Sequence, residues 1–143
     1  MVTANSGKDN VGGKQVQQIG TTNEERGTRA WKVLGSRFEL PLKFEIIDPV
    51  GSGAYGVVVA AKDATIEDES ANLVAIKKIE KAFEHKVFTL RTLRELKIMR
   101  LLNHENVLSI KSILKPRSLQ EFNELYVVSD LMETDLAQII KSN

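Results

Sequence analysis

The sequence predicts an α+β fold, in which short strands make up most of the ordered chain and one long helix interrupts them. Three observations predict it. From Trp31 onward, β-branched and aromatic residues gather in short runs, roughly four to eight residues each, the length of a strand. One stretch, residues 88–102, is rich in Leu, Arg, Lys, Glu and Met and has no Gly or Pro, as a helix requires. The 143 residues are 42% hydrophobic and 27% charged, which suits one globular domain and excludes a disordered chain, a collagen or a coiled-coil rod.

The elements follow in order. Residues 1–29 hold no aromatic residue, six apolar residues and five of the nine glycines. Such a segment buries too little surface to offset its ordering entropy. It is expected to be a flexible polar tail, either a spacer or a segment for phosphorylation or partner binding. Residues 31–34 form a short strand candidate ending at Gly35-Ser36, within an N-terminal extension over 30–43. Residues 44–47 alternate and lead through Pro49 to a glycine cluster. Residues 56–61 are a β-branched run, 63–72 an acidic hairpin loop and 73–79 the next strand. After the helix, 107–114 and 125–128 read as strands. At the end Thr134 is expected to cap a helix whose apolar stripe is Leu136, Ile139 and Ile140.

Composition also narrows function. Twenty Lys and Arg against nineteen Asp and Glu give a net charge of +1, too little to draw nucleic acid or a membrane surface by field alone. Without cysteine there is no disulfide framework, thiolate metal site or catalytic thiol. No apolar run nears the roughly 20 residues of a membrane span, and residues 1–5 lack the basic start and apolar run of a signal peptide. A soluble, cytoplasmic protein is expected, with a nuclear location left open.

Gly51, Ser52, Gly53, Ala54, Tyr55, Gly56, Val57 and Val58 spell G-x-G-x-x-G-x-V. Glycines let a backbone approach a polyphosphate and turn its N–H groups inward. A dinucleotide-binding turn has the same spacing but opens a helix. Here the glycines open a β-branched strand, which disfavours a dinucleotide site, kept as a distant third reading, against a phosphate-covering loop or a plain glycine hairpin.

The residues that follow favour the phosphate. Strand alternation puts Ala75 and Lys77 on one face and Val74, Ile76 and Lys78 on the other. A small Ala75 leaves room for a flat ring, and Lys77 reaches a phosphate beyond it. On the helix, Glu95 lies within about 40° of Phe88, Met99 and Leu102 at about 100° per residue. A carboxylate on that apolar side needs a cation, and Lys77 is the candidate. Glycine loop, strand lysine and helix glutamate in this order make a phosphate-positioning set.

Residues 44–141 resemble the N-terminal lobe of a eukaryotic protein kinase, and more narrowly the mitogen-activated protein (MAP) kinase family on its extracellular-signal-regulated side. Besides the glycine loop and Ala75-Ile76-Lys77-Lys78, the matching runs are 91–98 (Arg-Thr-Leu-Arg-Glu-Leu-Lys-Ile), 104–107 (His-Glu-Asn-Val) and 130–136 (Asp-Leu-Met-Glu-Thr-Asp-Leu). Phe83 precedes Arg94-Glu95 at the family's signature spacing.

The resemblance implies a five-stranded antiparallel sheet with one long helix over 44–143, ending at the start of the first helix of the larger lobe. It implies that Gly51 to Gly56 cover the phosphates of ATP. Lys77 would contact the α- and β-phosphates and pair with Glu95. Val50, Val58 and Ala75 would enclose the adenine. The carbonyl of Asp130 and the backbone of Met132 would bond it, and Asp135 would approach the ribose. Arg94 resembles the helix arginine that contacts an activation-loop phosphothreonine. The implied partners are ATP, protein substrates and an upstream MAP kinase kinase in signalling.

Two departures qualify this. Ser129 stands where MAP kinases carry a bulkier residue, which implies a deeper rear pocket. No His-Arg-Asp, Asp-Phe-Gly, Thr-x-Tyr or Ala-Pro-Glu run occurs. The chain is therefore expected to be truncated, to supply no magnesium ligand and no catalytic base, and to be inactive alone; magnesium would join ATP only in a complete kinase domain. The other expectation consistent with that is a non-catalytic interaction module that binds an activator or scaffold.

Overall fold

Alternating apolar side chains from Thr28 onward build two antiparallel sheets in the computed structural model of the protein, which describes residues 16–142 except 21, 24, 55, 70 and 117. The first sheet has three strands in the order β1 (Val16–Gln18), β2 (Thr28–Val33) and β3 (Ser36–Pro41). The second has five: β4 (Phe44–Gly53), β5 (Gly56–Asp63), β6 (Leu73–Ile79), β7 (Ile110–Ile113) and β8 (Leu125–Asp130), in the order β4-β5-β6-β8-β7. Helix α1 (Lys86–Leu101) joins β6 to β7, and α2 (Leu136–Lys141) follows β8. The five-stranded antiparallel sheet with one long helix is the fold expected from the sequence.

The N-terminal sheet takes in part of the segment expected to be a tail over 1–29. Val16–Gln18 pair with Val33, Lys32 and Trp31, and β2 begins at Thr28; residues 1–15 lie outside the described part. Two glutamines make β1 unreadable as a strand, because its stability comes from pairing with β2 rather than from propensity. β2 and β3 join through Leu34 and Gly35, whose φ values of 49° and 85° are those of a two-residue hairpin turn.

Trp31, Val33, Phe38 and Leu40 point from this hairpin into the main core, where they meet Phe44, Ile46, Val57, Val59, Ala61, Val74, Ile76, Tyr126 and Val128. The three-stranded sheet thus closes one face, the outer face, of the five-stranded sheet. Polar groups seal its seam. The Lys78 side chain is 5% exposed, and its ammonium pairs with Glu124 at 2.6 Å and Glu80 at 3.2 Å and donates to the Arg37 carbonyl. Tyr126 Oη accepts from the Glu39 N–H at 3.2 Å, and burial pushes its phenol well above the usual range. The Ser36 hydroxyl, bonded to Glu80, holds that carboxyl below its ordinary value against the opposing effect of burial.

The link between the sheets is fixed as well. Asp63, at the end of β5, pairs with Lys43 at 2.7 Å and accepts from the Thr65 N–H and hydroxyl. Burial alone raises this carboxyl, but the Lys43 and Thr65 bonds outweigh it and the net shift is downward.

Helix α1 packs differently. Its apolar side, the side of Phe88, Met99 and Leu102, reads in the sequence as mostly core, but of the whole helix only Thr92 is buried, with Phe88 and Leu96 resting on a small cluster of Ile79, Ala82, Leu125 and Val127. Val87, Leu90, Leu93, Ile98 and Leu101 are exposed, because the helix touches the sheet along one narrow line. At α2 the cap is Asp135, whose Oδ1 accepts from the Gln138 N–H at 2.8 Å, and not Thr134. Both residues are cap formers, so the sequence left the position of the cap ambiguous by one. No helix among the described residues is long and apolar enough to cross a membrane.

Candidate nucleotide site

The inner face of the five-stranded sheet has the opposite character. Cross-strand register lines up Ala60, Ala75 and Ser129 as one row and Val58, Lys77 and Val127 as the next. Three small side chains side by side make a flat shelf. Beside it, Lys77 Nζ meets Glu95 Oε1 at 2.7 Å, with the two side chains 31% and 49% exposed. The predicted pair is therefore formed, and on the face that carries Ala75. Lys78 is turned the other way, into the seam described above. The alternation that separated the two lysines in the sequence holds in space.

The three motif glycines stand in two different settings. A Cβ on Gly56 would lie 1.8 Å from the Lys78 carbonyl oxygen, and its φ of +129° is itself unfavourable for other residues. Gly56 thus lets the loop cross tightly over β6. Gly51 and Gly53 have nothing within 4 Å of an added Cβ, so no packing contact inside the fold requires glycine at either position. Gly53 pairs with Gly56 and Ser52 with Val57 across the hairpin. Ser52 and Ala54 are exposed; Tyr55 lies outside the described residues. Val50 is exposed after a register shift between Pro49 and Gly51.

The far edge of the shelf is Ser129, buried, whose hydroxyl donates to the Asp130 carbonyl at 3.3 Å. Met132 follows, exposed. The Asp135 carboxylate, predicted to approach a ribose, spends one oxygen on capping α2. A cavity of about 410 Å³ opens between α1 and β6, lined by Lys77, Ile79, Phe88, Arg91, Arg94 and Glu95 among others. Arg94 therefore stands beside the ion pair. His104 is a satisfied loop residue: its Nδ1 accepts from the Asn106 N–H at 3.1 Å. Among the described residues no three His, Asp or Glu side chains gather as a metal site.

A second cavity, about 390 Å³, lies on the N-terminal sheet between Asn23, Arg26, Ala30, Arg37 and Glu39. Its charges answer each other, since both arginines face Glu39, at 4.0 Å and 3.4 Å. Of these two cavities, only the one beside α1 contains sequence-predicted residues, namely Lys77, Glu95 and Arg94; the glycine loop, Ala75 and residues 130–135 lie outside its lining.

Two residues escaped the sequence reading, Ala60 on the shelf and Lys111 at the sheet edge. Ala60 carries the signal, lying two positions after Val58 on the same strand face. Lys111 carries none, since its contact with Asp130 at 2.8 Å depends on an irregular strand.

A sequence profile of the protein kinase domain matches residues 44–143. The chain belongs to the protein kinase family. Its five-stranded sheet and α1 are the N-terminal lobe of the kinase domain, and its relatives are MAP kinases. Extracellular signal-regulated kinase 1 of Dictyostelium discoideum is 51% identical over 110 residues, 77% of this chain and 20% of the relative. MAP kinase homolog MMK2 of Medicago sativa is 48% identical over 114 residues, 79% of this chain and 30% of the relative. MAP kinase 5 of Arabidopsis thaliana is 49% identical over 114 residues, 79% of this chain and 29% of the relative. The chain thus spans less than a third of the length of these kinases.

Proposed function

We propose that residues 44–141 are the ATP-binding lobe of a MAP-kinase-like serine/threonine kinase, with the nucleotide against the inner face of the five-stranded sheet. The observation that carries this reading is the Lys77–Glu95 pair standing beside the Ala60–Ala75–Ser129 shelf. A shelf of small side chains accepts a planar base. An ammonium two residues further along the same strand accepts the charge of a phosphate chain.

In this reading the adenine lies between the shelf and Val50 and Val58. It bonds the backbone of Asp130 and Met132, and the ribose lies toward Asp135. The loop from Gly51 to Gly56, with Ser52, Ala54 and Tyr55, covers the phosphates. Glu95 holds the Lys77 ammonium extended over the site, so that little reorganisation is left for the moment of binding. ATP supplies the phosphoryl group when bound. Magnesium accompanies it in the family, and our reading gives this chain no ligand for the metal. Transfer to a serine or threonine, and activation by an upstream MAP kinase kinase, are proposed for the whole protein.

The test is a calorimetric titration of this chain with ATP and with adenosine, for the natural sequence and for Lys77→Met. ATP affinity is expected to fall about tenfold or more on substitution, the scale of a lost charge-assisted contact, while adenosine affinity stays the same. Binding of NADH without ATP, or an ATP affinity indifferent to Lys77→Met, contradicts the reading.

A further inference from the structure

We propose that Lys111 is a positioning residue for the adenine end of this site, acting through the carboxylate of Asp130. The inference rests on the nucleotide reading above and extends it to a residue that no motif contains.

The observation is an irregularity in the edge strand. Along β7, Ile110 pairs with Ser129 and Ser112 pairs with Val128, with a register shift between them. Two steps on β7 therefore match one on β8, and Lys111 is the extra residue. Such bulges re-aim a side chain beside a functional site. Here the re-aimed side chain is the Lys111 ammonium, which meets Asp130 Oδ1 at 2.8 Å.

Asp130 is where the sheet loses a strand. On one side its backbone is paired with Val74 of β6, but the β7 pairing stops at Ser129. Past Asp130 the chain leaves the sheet toward Met132. On the β7 side, the ion pair to Lys111 takes the place of a neighbouring strand. The Asp130 carbonyl, which also accepts from Ser129 Oγ, is the group that the nucleotide reading assigns to the adenine. Lys111 thus touches no nucleotide and steadies the peptide that does.

The pair is partly exposed, 36% and 46%, so its effect is modest and is screened by salt. The experiment is calorimetric titration of this chain with adenosine and with ATP, for the natural sequence, Lys111→Met, Lys111→Arg, Asp130→Asn and the Lys111→Met/Asp130→Asn double variant. Lys111→Met is expected to weaken both ligands equally, by about two- to fivefold, with the urea midpoint unmoved. Lys111→Arg is expected to restore affinity. The double variant is expected to be no weaker than either single one, and in 1 M salt the differences should close. A loss confined to ATP overturns the inference, because it marks a phosphate contact instead. So do additive losses in the double variant, or an affinity unchanged by Lys111→Met while the natural chain binds normally. If the natural chain binds neither ligand, the tether and the nucleotide reading fall together.

Discussion

The outer and inner faces of the five-stranded sheet share the same strands and differ in nearly everything else. On the outer face Phe38, Leu40, Phe44, Val59 and Ile76 are fully buried, and the cation that enters, Lys78, is enclosed by two carboxylates and a carbonyl. On the inner face one cross-strand row shrinks to alanine and serine, and the cation in the next row, Lys77, is held by one carboxylate and is a third exposed. Adjacent lysines on one strand are thus a structural seal and a candidate ligand group. What separates them is the number of partners each already has. A cation with all its hydrogen bonds made inside the fold has nothing left to offer a ligand, whereas one held on a single side does.

If this contrast is right, damage to the two faces should differ in kind. The largest effect is expected for Phe38→Ala, on the closed face. It should cost about 3–5 kcal/mol, transfer term and cavity together, whereas Leu93→Ala on the exposed side of α1 should stay within about 0.5 kcal/mol. Urea unfolding of the two variants checks this, and comparable losses would break the comparison.

Next in size is the glycine loop. Gly56→Ala forces a Cβ against the Lys78 carbonyl at an unfavourable φ and is expected to destabilise by about 1–3 kcal/mol. Gly53→Ala meets open space and should leave the urea midpoint nearly unchanged, its effect reserved for ligand binding. Equal destabilisation by both substitutions would show that the loop is packed throughout.

The smallest expected effect concerns the junction at Asp63. Its carboxyl is held below its ordinary value in the folded chain. It therefore contributes stability that is full above the unfolded value of about 3.9 and is lost as pH falls through the folded value. Acid titrations of thermal stability should show a shallower loss below about pH 4 for Asp63→Asn than for the natural chain. An identical acid limb would mean that the Lys43 pair is not formed in solution.

Much of this was legible in the sequence because the five-stranded sheet alternates cleanly. The span of β6, Leu73–Ile79, and the opposite facing of Lys77 and Lys78 follow from period-two patterning alone. The Lys77–Glu95 contact was readable because a lone acid on the apolar side of a helix limits its partners. Other features depend on tertiary context that local pattern does not carry. β1 is a strand only because β2 pairs with it. Strand 107–114 shortens to Ile110–Ile113 because Val107 is held in a turn by the His104 carbonyl. The helix stripe looked like core because the sequence shows which residues are apolar, and not how narrow a line of contact the sheet offers them. Lys111 reaches Asp130 through a one-residue bulge, and nothing in the residues near 111 announces one.

The most direct measurement is the map of backbone amide shifts when this chain is titrated with ATP. The account predicts that the largest perturbations fall on Gly51, Gly53, Ala75, Lys77, Asp130 and Met132, along the inner face. Perturbations concentrated instead on Arg26, Ala30, Arg37 and Glu39, with the inner face silent, would contradict it.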